Sequence, residues 1–402
     1  MASAFNLDAF TKLLKETMIA FSFNIGGLLA GFIIASQLGV FRLSPWAIAL
    51  YPAIVSAKGV IGGLLSGRLS TALHIGTIHP RFARNTSSFY LLFEALIVIT
   101  LATSVVMSMF SLIFGLLFWG ILLVDFPSIL IVIVSTMTLG LSITLINMGV
   151  AFITFKKGLD PDVIVYPIMS SVADIIITAY YALVLNLFFF FDFGIYALVA
   201  ICLLHVILLI HIVTHHGQEK EFVKTIRESM VTMVFVAFIV NITGTILKRI
   251  SLLVEERKEI YTVYPALIDM VGDVGSVVGS TVTTKLALGL LKPSFSSMRD
   301  HATQILSAWS ASIIYFVLFA FLSLSITGIF APLAFLSLTA VLLVANVIAV
   351  TVIVLVSYGI SILTFKRGLD PDNFVIPIES SFADSMMSIA LFVALILASL
   401  LV

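Results

Sequence analysis

Charge is scarce in this chain. Only 10% of its 402 residues are Asp, Glu, Lys or Arg, against about 25% in a soluble domain. The 21 basic and 21 acidic side chains are too few to clothe a soluble particle of this length, which excludes an ordinary soluble protein. Disorder is excluded with it, because disorder needs low hydrophobicity and high charge and 61% of these residues are hydrophobic. Cysteine is nearly absent. A lone Cys202 rules out a disulfide framework and any cysteine-based metal cluster. Neither sign of charge is in excess, the formal net charge being +0, so no nucleic-acid partner is indicated. The amino-terminal stretch lacks a compact apolar core followed by a small-residue cleavage site, so it is not expected to be a signal peptide.

What is present is apolar length. Eleven runs are long and apolar enough to be spans, over 17–39, 45–76, 88–112, 127–153, 162–190, 195–214, 228–250, 262–291, 301–326, 332–358 and 372–401. A helix needs roughly 20 residues to cross a bilayer, and the longer runs imply tilt or extension beyond it. A membrane β-barrel would instead read as short alternating segments. The expected fold is therefore an all-α polytopic membrane protein embedded in a lipid bilayer. Residues 1–16 mix Phe5, Phe10, Leu13 and Leu14 with Lys12 and Lys15, the pattern of a short helix lying on the membrane surface. The run from Phe110 to Val124 is a twelfth apolar stretch.

Positive charge orients the spans. With the amino terminus in the cytoplasm and eleven crossings, 13 of the 21 Lys and Arg fall in inner segments and 5 in outer ones. The 5 include Lys248 and Arg249 at the outer end of the run 228–250, and the remaining three, Lys58, Arg68 and Lys285, lie deeper within spans. A twelfth span would spoil this alternation. The expectation is a multi-pass protein of the cytoplasmic membrane, amino terminus inside and carboxy terminus outside.

The chain also repeats itself. Residues 154–174 and 364–384 are identical at 15 of 21 positions, at an offset of 210. Tyr51-Pro52-Ala53 with Gly59, Gly62, Thr71 and Gly76 recurs as Tyr264-Pro265-Ala266 with Gly272, Gly275, Thr284 and Gly289, at an offset of 213. Asn24 and Gly27 recur as Asn241 and Gly244. Each half then has five spans, and a sixth joins them. That extra crossing restores the same orientation, so the halves are expected to be parallel repeats about an axis along the membrane normal, with a pathway that both line. The boundaries read as 1–190 for the first repeat, 191–227 for the linking helix and its loop, and 228–402 for the second. A monomer containing this internal pseudo-dimer satisfies the symmetry.

Acids at bilayer depth are costly, and they face the bundle interior or a wet cavity. The second half holds Asp269, Asp273, Glu379 and Asp384; the first holds Asp174, matching Asp384, and Glu94. Asp269 and Asp273 are four apart and share a helix face. Two such like charges repel unless a cation binds or one is protonated. Oxygen ligands without Cys or a His cluster suit a hard cation, Mg²⁺, Ca²⁺ or Mn²⁺, and Mg²⁺ retains much of its water. Glu94 reads equally as a paired structural acid. Lys58 is either a tethered cation neutralising nearby acids or an ion-pair partner of Asp269 or Asp273. Lys285 and Arg68 read as snorkelling toward the interface.

Asp162 and Asp372 follow Pro161 and Pro371, so they read as first-turn helix residues; the other reading makes them acids at the cytoplasmic mouth that attract cations. Pro167 and Pro377 either kink their spans or free a carbonyl toward the pathway. Gly59, Gly62, Gly63 and Gly67 read as packing glycines that also expose backbone. His205, His211, His215 and His216 read as packing or interfacial residues.

Asp370-Pro371-Asp372-Asn373, Pro377, Ser380-Ser381 and Asp384, echoed by Asp160-Pro161-Asp162, Pro167, Ser170-Ser171 and Asp174, resemble the signature of the MgtE-type divalent-cation transporters. The likeness is closest to the solute carrier family 41 branch, in which two MgtE-like halves are fused. Lys58-Gly59 to Arg68-Leu69-Ser70-Thr71 and His74-Ile75-Gly76 resemble the family's second-helix motif. The resemblance implies a Mg²⁺ pathway with an aspartate from the last helix of each half, here Asp174 and Asp384, flanked by Asp269, Asp273 and Glu379. It implies Mg²⁺ as the transported ion and leaves Na⁺ or H⁺ open as a coupling ion. The family's second-helix Asn falls on Val60 in one half and Asp273 in the other. Two other functions are compatible with acids inside the spans. One is exchange of another cation pair such as Na⁺/Ca²⁺. The other is an intramembrane aspartyl protease, against which the motifs speak, since Asp174 and Asp384 follow Ala and Gly272-Asp273 follows Met270-Val271.

Overall fold

The computed structural model describes residues 7–157, 161–367 and 372–400, with the side chains of 161–168, 372–379 and a few single positions outside the description. Every regular element among the described residues is helical. That follows from apolar length, since in hydrocarbon only a helix or a closed barrel satisfies its own backbone polar groups. The helices are α1 (Leu7–Phe21), α2 (Gly26–Ser36), α3 (Leu38–Phe41), α4 (Leu50–Ile75), α5 (Ser87–Phe114) and α6 (Phe126–Lys156). They continue as α7 (Pro161–Phe190), α8 (Gly194–His216), α9 (Lys220–Val254), α10 (Lys258–Ala287), α11 (Ala302–Ile326), α12 (Pro332–Lys366) and α13 (Asp372–Leu400). Among the described residues, 11 segments are long and apolar enough to cross a membrane. The protein is a multi-pass membrane protein.

One local expectation needs correction and a second is met. The surface helix read at 1–16 is not a separate element. α1 runs unbroken to Phe21, and the first span begins at Phe10. The reason is packing: the Tyr315 hydroxyl of α11 donates to the carbonyl oxygen of Met18 at 2.7 Å, and Thr17 is buried. The apolar side of α1 thus has a protein partner, while Lys12 and Glu16 remain exposed 4.0 Å apart. The apolar stretch 110–124 does not form a span, in keeping with the charge argument. It divides between the end of α5, a π turn over Gly115–Trp119 and a short 3₁₀ turn at Leu123–Asp125. Trp119 anchors that turn: its Nε1 donates to Thr245 Oγ1 at 2.9 Å, and its carbonyl accepts from Lys248 Nζ.

The chain forms two compact units, Met1–Ala35 with Arg249–Val402, and Ser36–Lys248. Their membership differs from that of the sequence repeats. In the first unit, α1 and α2 pack with α10 to α13. A Cβ on Gly27 would come 2.8 Å from Ala266 Cα, and one on Gly31 would come 2.1 Å from the Thr262 carbonyl oxygen. In the second unit, α9 up to Lys248 packs with the spans of the first repeat, and a Cβ on Gly244 would come 2.1 Å from the Ala49 carbonyl oxygen. Gly27 and Gly244 are repeat counterparts. Each brings a first span into backbone contact with the second span of the other repeat, the close approach that small residues allow.

Within each unit the same tie recurs. Tyr51 Oη lies 3.2 Å from Thr178 Oγ1, and its counterpart Tyr264 Oη lies 2.7 Å from Ser388 Oγ. Both bonds are buried and join the second span of a repeat to its fifth, one turn beyond the repeated aspartate. The second spans also end alike. Gly76 and Gly289 close α4 and α10 with φ of 81° and 70°, where a side chain would be strained.

The linking helix α8 is the most lipid-like, with only 17% of its apolar window buried. His205 fastens it: Nε2 lies 3.0 Å from the Ile97 carbonyl oxygen and Nδ1 lies 2.7 Å from Thr138 Oγ1. This agrees with the packing role read for that histidine.

Candidate cation site

In the Ser36–Lys248 unit, α4, α6 and α7 line a cavity of about 40 Å³ in which polar groups stand among the apolar Ile143, Met169 and Ala173. One face comes from α4, where Gly59, Gly62 and Gly63 supply no side chains and so leave room. A Cβ on Gly59 would meet nothing within 4 Å, and one on Gly62 only Asn147 Nδ2, at 3.9 Å. These glycines were expected to pack helices together; their larger effect is to open this space. α7 contributes Asp174, only 7% exposed, and Ser170. α6 contributes Asn147, whose Nδ2 donates to Ser66 Oγ at 3.1 Å and more weakly to the Gly62 carbonyl oxygen at 3.4 Å. Lys58 completes the wall and donates to Thr144 Oγ1 at 3.0 Å. A space of this size exceeds what one water molecule requires, and the hydroxyl, amide and carboxylate groups in its wall suit a hydrated ion.

Of the other polar groups, Ser170 belongs to the repeated Ser170-Ser171 motif, while the sequence does not mark Asn147, Ser66 or Thr144 as site residues. Asn147 carried a signal, being an amide in the middle of an apolar 31-residue helix; the hydroxyls of Ser66 and Thr144 did not, because Ser and Thr are common throughout these spans. Lys58, for which the sequence offers either a tethered cation neutralising nearby acids or an ion-pair partner of Asp269 or Asp273, lines the same cavity as Asp174.

In the other unit the acids lie on two packed helices. Asp269 and Asp273 are half-buried on α10, and Asp384 is half-buried on α13. The helices meet beside the last of these, where a Cβ on Gly272 would come 3.9 Å from Ala383 Cβ. Asp273 has a specific partner: Asn24 Nδ2 donates to its Oδ2 at 2.8 Å. Asn24 is buried in the 3₁₀ turn between α1 and α2, so the first span reaches into the acidic face of the second repeat. Its counterpart Asn241 instead accepts from Ser111 Oγ at 2.9 Å. The side chains of Asp162, Asp372 and Glu379, and those of Pro167 and Pro377, lie outside the described residues.

Three further groups have local partners. Glu94 contacts His216 Nδ1 at 2.6 Å. Arg68 donates to Thr225 Oγ1 at 2.5 Å, and Lys285 Nζ lies 3.2 Å from Nδ1 of the buried His301. Arg68 and Lys285 each thus have a partner within their own unit.

Among the described residues no three His, Cys, Asp or Glu side chains come close enough to hold a metal ion by themselves.

These features define a helical membrane protein built by duplication, with acids and a partly polar cavity set within its spans. Residues 51–184 and 264–395 each match the MgtE family, described as divalent cation transporters. The two matches cover most of the chain, and the chain belongs to that family. No curated protein and no solved structure matches it.

Proposed function

We propose that this protein moves Mg²⁺ across the cytoplasmic membrane, using Asp174 and Asp384 as the groups that bind the partly hydrated ion, with Asp269, Asp273 and Glu379 flanking the second. The observation that carries this reading is the cavity at Asp174: a buried carboxylate in a space larger than a water molecule, beside a glycine face. Asp384 is its repeat counterpart, and the Tyr51–Thr178 and Tyr264–Ser388 bonds support treating the two as equivalent in their units. The symmetry of the sequence repeats, over 1–190 and 228–402 about the linker 191–227, is the reason for putting both acids on one route. The expected topology is amino terminus inside and carboxy terminus outside.

The test is Mg²⁺ uptake into proteoliposomes by the full chain. Asp174→Asn and Asp384→Asn are each expected to abolish uptake while the protein remains in the membrane. Unchanged flux in both variants would refute the assignment. Competition by Ca²⁺, and dependence on an imposed Na⁺ or H⁺ gradient, separate Mg²⁺ transport from another exchange and identify any coupling ion.

A further inference from the structure

Among the described residues Lys58 is the one basic side chain that lines the Asp174 cavity, and it is only 3% exposed. Among the described residues its ammonium reaches a single hydrogen-bond acceptor, Thr144 Oγ1, although it carries three N–H donors. A buried ammonium is costly unless a negative charge compensates it. The acid in the same cavity is Asp174.

The surroundings are built for this lysine. On α6, Gly140 leaves room for its stem: a Cβ there would come 3.7 Å from Lys58 Cδ and 3.0 Å from Ile177 Cδ1. In the second repeat the counterpart of Lys58 is Val271 and that of Gly140 is Val350. Both valines are fully buried. A lysine facing a glycine in one repeat is thus replaced by two valines in the other. The neighbouring positions change in the same sense. Ser56, Lys58 and Val60 carry a formal +1, while their counterparts Asp269, Val271 and Asp273 carry −2. With Asp174 added the first set is neutral, and with Asp384 added the second is −3. The two repeats therefore offer a divalent ion very different fields.

We propose that Lys58 is a fixed counter-ion of the Asp174 site, which weakens that site for a divalent cation enough to let the ion leave as readily as it arrives. A conducting site must bind well enough to admit an ion and loosely enough to release it. Asp174 alone, buried and flanked by Asn147 and Ser66, would hold a divalent ion too long. The ammonium already supplies positive charge there, so an arriving ion gains less. The second repeat, with no such lysine, is the tighter of the two. This inference rests on the assignment of Asp174 as an ion-binding group.

The experiment compares the full chain with Lys58→Met, Asp174→Asn and the double variant, read in two ways. In proteoliposomes, Lys58→Met is expected to lower the half-saturating Mg²⁺ concentration about tenfold and to reduce the maximal flux, a split that a merely structural lysine would not produce. An unchanged half-saturation overturns the proposal. In detergent, Asp174→Asn is expected to melt below wild type because it strands the ammonium, and adding Lys58→Met is expected to restore much of the loss. Equal melting of the single Asp174→Asn and the double variant also overturns it. Should wild type give no saturable Mg²⁺ flux, the transport assignment fails, and the melting comparison still decides whether the two charges are coupled.

Discussion

Asn24 donates its amide to the Asp273 carboxylate over 2.8 Å, although 249 residues separate them in the chain. The bond ties the first span of one repeat to the second span of the other, within one compact unit. Its removal has a definite expected result. Asn24→Leu keeps the volume but withdraws a donor from a half-buried carboxylate, at a cost of about 1–3 kcal/mol. Asp273→Asn keeps an acceptor oxygen for Asn24, so it should melt close to wild type while binding divalent ions less well. Melting of both variants in detergent, with Mn²⁺ binding followed by electron paramagnetic resonance, checks the pair. An Asn24→Leu protein as stable as wild type would show that the bond contributes nothing.

Two glycines on neighbouring spans should respond in opposite ways. A side chain at Gly31 would run into the Thr262 carbonyl oxygen, whereas one at Gly59 would project into open space. Gly31→Ala is therefore expected to lower the melting temperature sharply by forcing α2 away from α10. Gly59→Leu replaces a helix-weakening residue with a strong helix former, worth up to about 0.8 kcal/mol, and should leave stability equal or higher. It should also obstruct the cavity and cut Mg²⁺ flux about tenfold or more. Flux unaffected by Gly59→Leu would mean that the ion does not pass this space.

The difference between those glycines was not legible in the sequence, where both sit in runs of small residues. Much else was. Apolar length gave the eleven spans, because the bilayer imposes a length on any helix that crosses it. The charge bias correctly argued against a twelfth span at 110–124. The exchange of first spans between units was invisible, since Asn24, Gly27, Asn241 and Gly244 announce a close contact without saying with which repeat. The cavity was half legible. Asp174 stood out because acids are rare at that depth, and Lys58 stood out for the same reason. Ser66 and Thr144 did not, because a hydroxyl in a span usually bonds its own helix, as Thr136 does to the Val132 carbonyl oxygen at 2.7 Å.

The paired tyrosines offer a test of the repeat at the level of single bonds. Tyr51→Phe and Tyr264→Phe each remove one hydroxyl and leave the ring packed. Each is expected to cost about 0.5–1.5 kcal/mol. Because the two bonds lie in different units and share no partner, the double variant should lose the sum to within about 0.5 kcal/mol. A strongly non-additive result in chemical or thermal melting would mean that the two bonds are not the independent equivalents their positions indicate.

Glu94 separates a structural acid from a functional one. Its carboxylate touches His216 at 2.6 Å, joining the start of α5 to the end of the linking helix α8. With side chains 27% and 37% exposed, the contact should be worth about 1 kcal/mol, little more than a surface pair. That value still matters for α8, which is held by few buried contacts besides those of His205. Glu94→Gln keeps the side chain's shape and an oxygen beside His216 and should transport Mg²⁺ at the wild-type rate. Glu94→Ala loses the contact, and amide hydrogen exchange over 211–219 should quicken while flux falls by no more than about twofold. If Glu94 instead bound the ion, both variants would lose flux together and exchange in α8 would stay unchanged.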